Sequence, residues 1–202
     1  MIAVIDYGMG NIGSVCNALR YVGAAYTVTD EASVIETADG LILPGVGAFG
    51  DAIRNISDRN LELPIKEFIG SNKPFLGICL GYQLLYERSS ESPDVSGLGV
   101  LKGEVIRFPD NMKLKVPHIG WNTIRTGKGM KILGKFNGAY MYFVHSYYVL
   151  PETISDCHAI TEYGVKYASA VEKDNILACQ FHPEKSGREG LDILRKWTVG
   201  AR

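Results

Sequence analysis

The sequence predicts an α/β protein, a three-layer sandwich in which helices cover both faces of a mostly parallel central sheet. First, short apolar segments alternate with helix-like segments across residues 2–87, which is typical of parallel sheets. Second, the apolar segments lack polar alternation, as expected for strands buried on both faces. Third, strand-like segments follow one another through turns after residue 99, which indicates some antiparallel strands.

The first half of the chain predicts four strands, each followed by at least one helix. The strands are IAVID, AYTVT, GLILP and PFLGIC. The first helix covers 11–23, with Asn11 near its N-cap and Gly23 as its stop. Further helices are predicted near 31–38, 48–57 and 62–70 and directly after Cys79.

The second half predicts mainly strands and a last helix over 187–199. The strands are GVLKGEVIRF, KLKVPHIGW, AYMYFVHSYYVL, DCHAITEYG, YASAVEKD and NILACQF. The polar segment SSESPDVSGLG joins the halves as an ordinary loop, so residues 1–202 are predicted to form one domain.

Charge and cysteine content exclude several function classes. Lys and Arg total 21 against 22 Asp and Glu, without a long basic run, so charge gives no support for nucleic-acid or membrane binding. No segment approaches a membrane span, and the N-terminus lacks the pattern of a secretory leader. The four cysteines are scattered, which predicts reduced thiols in a cytoplasmic protein and no metal site.

The segment PFLGICLGYQ places Cys79 between Gly77 and Gly81 at a turn from strand to helix. A side chain at such a turn stands clear of the sheet, and small neighbours relieve the crowded backbone, as in a nucleophile elbow. The start of a helix lowers a thiol pKa, and the N–H of Leu80 would stabilise an oxyanion. The alternative is a small buried residue at a tight turn, which the motif alone does not exclude.

A thiolate nucleophile needs a base and a group that orients the base. The segment CQFHPEKS supplies His182 and Glu184 directly after an apolar strand, and the ends of parallel strands are where such folds gather their sites. Alone, a His-x-Glu pair would more often be two solvent-exposed polar residues, or occasionally half of a metal site. Neither a third metal ligand nor the P-C-x-x-C motif of zinc deaminases accompanies it.

Together, GICLGYQ and HPEKS resemble the motifs of the class I glutamine amidotransferases, triad enzymes that hydrolyse glutamine to release ammonia. DYGMGN, LPGVGAFGDA, VPHIGWN and YFVHSYY narrow the resemblance to the glutaminase subunits of imidazole glycerol phosphate synthases, in histidine biosynthesis. The resemblance spans residues 2 to about 199. It implies a flavodoxin-like fold, L-glutamine as substrate, a (β/α)8-barrel cyclase subunit as heterodimer partner, and no cofactor.

The resemblance also implies roles for particular residues. Cys79 matches the nucleophile, His182 the general base and acid, and Glu184 the group that orients the histidine. The positions that match the partner-facing residues of the family are Asn11, Trp121, Asn122, Tyr142 and Lys185.

The substrate and oxyanion sites are predicted from further motifs. Gln83 lies one helical turn after Cys79, and Ser146 and Tyr147 match a loop that binds the amino-acid end of glutamine. Gly47 permits close approach of the backbone to a ligand. The predicted oxyanion donors are the N–H groups of Val46 or Gly47 and of Leu80.

Two alternative functions are weighed against this prediction. Gly8, Gly10 and Gly13 form a G-x-G-x-x-G pattern after a strand, with Asp30 twenty residues after Gly10, the outline of an NAD-binding site. Asp6 and Tyr7 separate the strand from these glycines, and the chain holds no second catalytic half. A catalytically silent partner-binding module is disfavoured because all three triad positions are filled.

Overall fold

The computed structural model describes residues 1–201. Its first half alternates strands and helices in the predicted order. The elements are β1 (Ile2–Ile5), α1 (Ile12–Tyr21), β2 (Tyr26–Thr29), α2 (Ala32–Thr37), β3 (Gly40–Leu43), α3 (Phe49–Asp58), α4 (Glu62–Gly70), β4 (Phe75–Ile78) and α5 (Leu80–Gln83).

The second half consists of strands, two 3-10 turns at Leu133–Phe136 and Pro183–Lys185, and one long helix. The elements are β5 (Arg88–Ser89), β6 (Gly103–Arg107), β7 (His118–Thr123), β8 (Arg125–Thr126), β9 (Tyr140–His145), β10 (Tyr147–Pro151), β11 (His158–Tyr163), β12 (Val165–Lys173), β13 (Ile176–Cys179) and α6 (Gly187–Gly200). Among the helices of residues 1–201, none has the length and apolar character needed to span a bilayer.

One large sheet runs through both halves of the chain. Its strands β2, β1, β3, β4 and β13 are neighbours in that order and lie parallel. Beyond β13 the sheet continues through β12, β10 and β6 with antiparallel pairing. Strand β5 closes this edge, and β11 and β8 form a branch on β12. Strands β7 and β9 pair only with each other, as a separate two-stranded sheet.

Helices cover both faces of the parallel strands, which confirms the predicted three-layer class. Because strand side chains alternate between faces, Ala3 and Ile5 pack with apolar residues of α2, α3 and α4. Ile2 and Val4 instead pack with apolar residues of α1 and α6. Strands β1, β3, β4 and β13 are buried along their length, as expected for a sheet covered on both sides, whereas the edge strand β2 is only partly buried.

The single strand predicted over residues 139–150 is wrong, because the chain changes sheets at Ser146. Strand β9 pairs with β7, whereas β10 joins the large sheet between β6 and β12. The carbonyl of Ser146 accepts the N–H of Phe108 at 3.1 Å, which fixes the crossing point. The strand predicted over 113–121 begins only at His118, after Pro117, which has no N–H to donate to a sheet.

The helix after Cys79 is shorter than the elbow prediction assumed, with four residues. Beyond Gln83 the backbone carbonyls bond to a neighbouring loop: Leu84 and Leu85 accept the N–H groups of Leu98 and Leu101. A helix of one turn has a small macrodipole. Its contribution to the chemistry of Cys79 is therefore smaller than predicted, and the individual N–H groups at the elbow matter more.

Candidate active site

The elbow forces Cys79 into a strained backbone conformation. Its φ is +54°, which non-glycine residues seldom adopt and which persists only where surrounding structure imposes it. The chain turns here so sharply that a Cβ on Gly81 would overlap the carbonyl oxygen of Leu43. A Cβ on Gly77 would lie 3.0 Å from the carbonyl oxygen of Gly81. Packing therefore requires glycine on both sides of the cysteine.

The pairing of β4 with β13 brings Cys79 and His182 to the same sheet edge. The two strands are parallel, with Ile78 opposite Cys179, and the N–H of Cys79 donates to the carbonyl of Cys179 at 2.8 Å. The chain leaving β13 reaches His182 three residues later. Two segments about one hundred residues apart thus end side by side.

The His182 imidazole is held by Glu184. Nδ1 of His182 lies 2.7 Å from Oε1 of Glu184, and both side chains are almost fully buried. Burial disfavours the imidazolium, but the sulfur of Cys79 and the carboxylate of Glu184 outweigh burial and raise the pKa of His182 to about 10. Because Nδ1–H donates to the carboxylate, Nε2 is left for proton transfer, and it has no hydrogen-bond partner among the described residues.

The predicted oxyanion donors do not point to one place in this conformation. The N–H of Leu80 donates to the carbonyl of Gly45 at 3.4 Å. In a trans peptide the N–H points opposite to the carbonyl, so the N–H of Val46 is directed away from Leu80. The two predicted donors do not converge. Gly47 follows with a φ of +109°, which only glycine adopts readily.

A cavity of about 280 Å³ opens beside Cys79. It brings together the residues that the sequence predicted for substrate and oxyanion binding from three separate segments. The lining residues are Val46, Gly47, Cys79, Leu80, Gln83, Glu91, Val144, His145, Ser146 and Tyr147. Nε2 of Gln83 donates to the carbonyl of Tyr147 at 3.0 Å, so the helix of the elbow and the segment that crosses between sheets share one wall.

Sequence reasoning missed several residues of this site, among them Glu91 and Gln180. Glu91 lines the cavity, and its Oε2 accepts the N–H of Phe49 at 2.7 Å. It comes from a polar loop that gave no signal. Gln180 is completely buried, and its Nε2 donates to Sγ of Cys79 at 3.7 Å. Gln180 could have been predicted from its position at the end of an apolar strand, two residues before His182, because a buried amide needs hydrogen-bond partners.

Three of the five predicted partner-facing residues lie in or beside the turn that carries His182 and Glu184. Tyr142 bonds to that turn through its backbone: its N–H donates to Oγ of Ser186 and its carbonyl accepts the N–H of His182, both at 2.9 Å. The ring of Tyr142 lies 6.0 Å from that of Trp121, which is 55% exposed. Lys185 belongs to the turn itself.

Two further partner-facing predictions have local roles in the fold. Asn11 caps α1, since its side chain accepts the N–H of Ser14 at 3.3 Å. The turn Pro183–Lys185 packs against α1 as well as β9, which places Asn11 on the same side of the molecule. Asn122 lies next to Trp121 in β7 and donates to the carbonyl of Glu162 at 2.9 Å.

Comparison with known proteins agrees with this geometry. The family model described as glutamine amidotransferase class-I matches residues 3–201. The protein of Caldanaerobacter subterraneus subsp. tengcongensis named imidazole glycerol phosphate synthase subunit HisH is 49% identical over 198 residues, which are 98% of this chain and 97% of that protein. The protein of the same name from Aquifex aeolicus is 50% identical over 196 residues, 96% of this chain and 94% of its own.

A solved structure described as a glutamine amidotransferase shares the fold, with a TM-score of 0.75 at 17% identity, over 100% of this chain and 99% of that one. The chain belongs to the class I glutamine amidotransferases and, within them, to the family of HisH subunits of imidazole glycerol phosphate synthase. This confirms the resemblance seen in the sequence motifs. Neither the family model nor these relatives support the NAD-binding alternative.

Proposed function

We propose that this chain is the glutaminase subunit of an imidazole glycerol phosphate synthase. It hydrolyses L-glutamine and passes the ammonia to a (β/α)8-barrel cyclase subunit, which forms imidazole glycerol phosphate and an aminoimidazole carboxamide ribotide. The observation that carries the proposal is Cys79 on a strained elbow beside the His182–Glu184 pair. This arrangement occurs in a chain about half identical to HisH subunits over nearly its whole length.

In this proposal Cys79 attacks the side-chain amide carbon of glutamine. Because its pKa is raised to about 10, His182 enters the reaction as an imidazolium. Its Nε2–H gives a proton to the departing ammonia, which leaves a glutamyl thioester and a neutral imidazole. The same nitrogen then deprotonates water, which attacks the thioester and releases glutamate and the free thiol. Glu184 holds Nδ1–H throughout, so the tautomer at Nε2 stays suited to each transfer.

The cavity also supports the recognition of the amino-acid end of glutamine. Gln83 uses its Nε2 in two hydrogen bonds within the protein, so its Oε1 is the atom left to accept from the substrate ammonium. Glu91 is the charged residue of the cavity lining, and its carboxylate suits the same ammonium. Gly47 and the backbone of Ser146 and Tyr147 would bind the α-carboxylate.

The conformation of the loop at Val46 supports control by a partner. An oxyanion at Cys79 needs N–H donors. The N–H of Leu80 is instead hydrogen-bonded to the carbonyl of Gly45. Rotation of the peptide between Gly45 and Val46 would free Leu80 and bring a second N–H into the site. The glycine that follows, Gly47, makes this rotation sterically inexpensive.

The sheet of β7 and β9 is the proposed docking surface for the cyclase subunit. Its exposed large apolar side chains are Ile119, Trp121 and Tyr140, and clustered exposed apolar residues indicate a protein interface. Contacts there would reach the triad through the backbone bonds of Tyr142 and through Lys185, which directly follows Glu184.

We place the reaction in the cytoplasm. All four cysteines in the described part of the chain are free thiols, which is typical of proteins in a reducing compartment. The position in histidine biosynthesis, which the HisH relatives support, agrees with this location.

The Cys79→Ala variant tests the proposed function in a reconstituted complex with the cyclase subunit. We expect glutamine-dependent product formation to fall to background, while free ammonium salt still supports synthesis, because ammonia bypasses this subunit. Glutamate release and product formation are measured in parallel. Glutamine consumption by the Cys79→Ala complex would contradict the nucleophile assignment, and no glutamine-dependent product with the wild-type complex would contradict the function.

A further inference from the structure

The side chain of Gln180 connects the nucleophile to the wall of the substrate cavity. Its Nε2 donates to Sγ of Cys79 at 3.7 Å, and its Oε1 accepts Nε2 of Gln83 at 2.9 Å. The residue is 0% exposed. Both ends of the amide are therefore used inside the protein, and neither faces solvent.

The orientation of both amides follows from one acceptor. The carbonyl of Tyr147 only accepts hydrogen bonds, so the atom of Gln83 that faces it at 3.0 Å must be Nε2. That nitrogen also faces Gln180, which must present its oxygen there. The remaining atom of Gln180, which faces Sγ, is then an N–H donor. A flipped amide would oppose two donors or two acceptors.

A neighbouring histidine supports the same carbonyl. Nδ1 of His145 lies 2.8 Å from the carbonyl oxygen of Tyr147 and must donate to it. Burial lowers the pKa of His145 to about 3, so the ring is neutral and its Nε2 is an acceptor, 3.2 Å from the hydroxyl of Tyr167. Hydrogen bonds from two sides thus fix the carbonyl that sets the orientation of Gln180.

We infer that Gln180 is a further catalytic residue, whose amide N–H binds the Cys79 sulfur and holds it against the substrate cavity. A thiolate accepts such a hydrogen bond more strongly than a thiol does, because hydrogen bonds to charged groups are the stronger class. The bond therefore favours the nucleophilic form and fixes the direction of the sulfur. This inference rests on the proposed function and assigns an additional residue to the same site.

Two substitutions separate this role from simple packing. Gln180→Leu removes the donor, and we expect kcat for glutamine hydrolysis by the complex to fall about 10- to 100-fold, with a much smaller change in KM. Gln180→Glu keeps the shape and the acceptor for Gln83 but sets a carboxylate oxygen against the sulfur. At pH 8 we expect a larger loss than for leucine, whereas a packing role predicts the smaller loss for this variant of the same shape.

The rate at which iodoacetamide alkylates Cys79 in the same complexes measures the reactivity of the thiolate, and this measurement does not require glutamine to bind. We expect this rate to fall in both variants in the same order as kcat. Thr198→Val is the matched control, because it removes a partly buried side-chain hydrogen bond, to the Arg195 carbonyl within α6, outside this chain of contacts. This control should leave kcat and the alkylation rate within about 3-fold of wild type, a change smaller than the loss of one buried hydrogen bond at the active site would cause.

Circular dichroism and co-purification with the cyclase establish which variants fold and assemble. A folded Gln180→Leu complex with kcat and alkylation within about 3-fold of wild type would overturn the inference, since a lost hydrogen bond to a charged group costs more. A loss confined to KM would overturn it too. Failure of the proposed function is distinct, because the wild-type complex itself would then form no glutamine-dependent product.

Discussion

The nucleophile side and the oxyanion side of the cavity differ in how firmly the fold holds them. Cys79 and His182 lie at the ends of two paired central strands, where backbone and side-chain bonds of 2.7–2.8 Å fix them. On the opposite wall, Val46 is 39% exposed, and the bond that orients its peptide, from the Leu80 N–H to the Gly45 carbonyl, is longer, at 3.4 Å. In our proposal the protein therefore holds Cys79 and His182 in place while one oxyanion donor is turned away.

This difference has a chemical reason. A thiolate and its base must be aligned to within a fraction of an ångström, which a strand register supplies. An oxyanion donor is needed only in the transition state. Moving that donor therefore changes the rate strongly while it leaves the fold and the nucleophile unchanged.

The largest effect should come from substitutions on the nucleophile side of the cavity. His182→Ala removes the proton-transfer group, and we expect kcat for glutamine hydrolysis by the complex to fall by about 10²–10⁴. Glu184→Gln keeps an acceptor beside Nδ1 and should cost less, because orientation is a smaller task than proton transfer. Steady-state glutamate release measures both. A larger loss for Glu184→Gln than for His182→Ala would contradict the assigned roles.

A slightly smaller effect should come from the movable side. Val46→Pro deletes the backbone N–H and should lower kcat of the complex by about 10²–10³, the usual cost of a lost oxyanion donor. Val46→Ala is the control, since it keeps the N–H and trims only an exposed side chain. Alkylation of Cys79 by iodoacetamide should be equal in both variants. Full activity of Val46→Pro would show that the donor is another group, such as the N–H of Gly47.

The interface should show a moderate effect. Trp121→Ala removes a side chain that is 55% exposed on the proposed docking sheet, and buried aromatic anchors typically contribute about 2 kcal/mol to binding. We expect the Kd for the cyclase subunit to rise about 30-fold, measured by calorimetry. Leu63→Ala, on α4 and 64% exposed, should leave the Kd unchanged. An equal change in Kd for the two variants would contradict the proposal that β7 and β9 form the docking surface.

The smallest effect concerns the pH dependence of stability. Against burial, the sulfur of Cys79 and the carboxylate of Glu184 raise the pKa of His182 to about 10. Their joint stabilisation of the charged ring is complete below about pH 6.5 and is lost as pH rises through about 10, and Glu184 supplies part of it. The difference in free energy of unfolding between wild type and Glu184→Gln should therefore shrink, by on the order of 1 kcal/mol, between pH 7 and pH 10.5.

Urea titration at several pH values measures this change. Glu189→Gln, at an exposed position of α6, is the control and should differ from wild type by the same amount at every pH. A constant difference for Glu184→Gln would show that the histidine and the carboxylate are not paired in the folded state.

The sequence predicted the side of the site that carries Cys79 and His182 better than the side that carries Val46. The elbow at Cys79 and the pair at His182 are local motifs at strand ends, so apolar runs and glycines sufficed to place them. The change of sheets at Ser146 was missed, because one continuous aromatic run carries both strands and only tertiary pairing divides it. Gln180 and Glu91 were missed for the same reason, since their partners lie 42 or more residues away.

The resting position of the Gly45 carbonyl could not have been predicted either. Glycines in LPGVGAFGD permit both orientations of the peptide, and a sequence pattern does not select between conformations of similar energy. The motif indicated that a rotation was sterically allowed. The hydrogen bond from Leu80 shows which orientation the chain adopts alone.

The most direct test of the central claim compares two rates in three states: the free chain, the chain with the cyclase subunit, and the complex with the ligand of the cyclase. We predict that glutamate release rises by about 10²–10³ across these states, as expected when an oxyanion donor is gained. Alkylation of Cys79 by iodoacetamide should stay nearly constant, because the nucleophile is already assembled. Full glutaminase activity in the free chain, or alkylation that rises in parallel with glutamate release, would contradict the account.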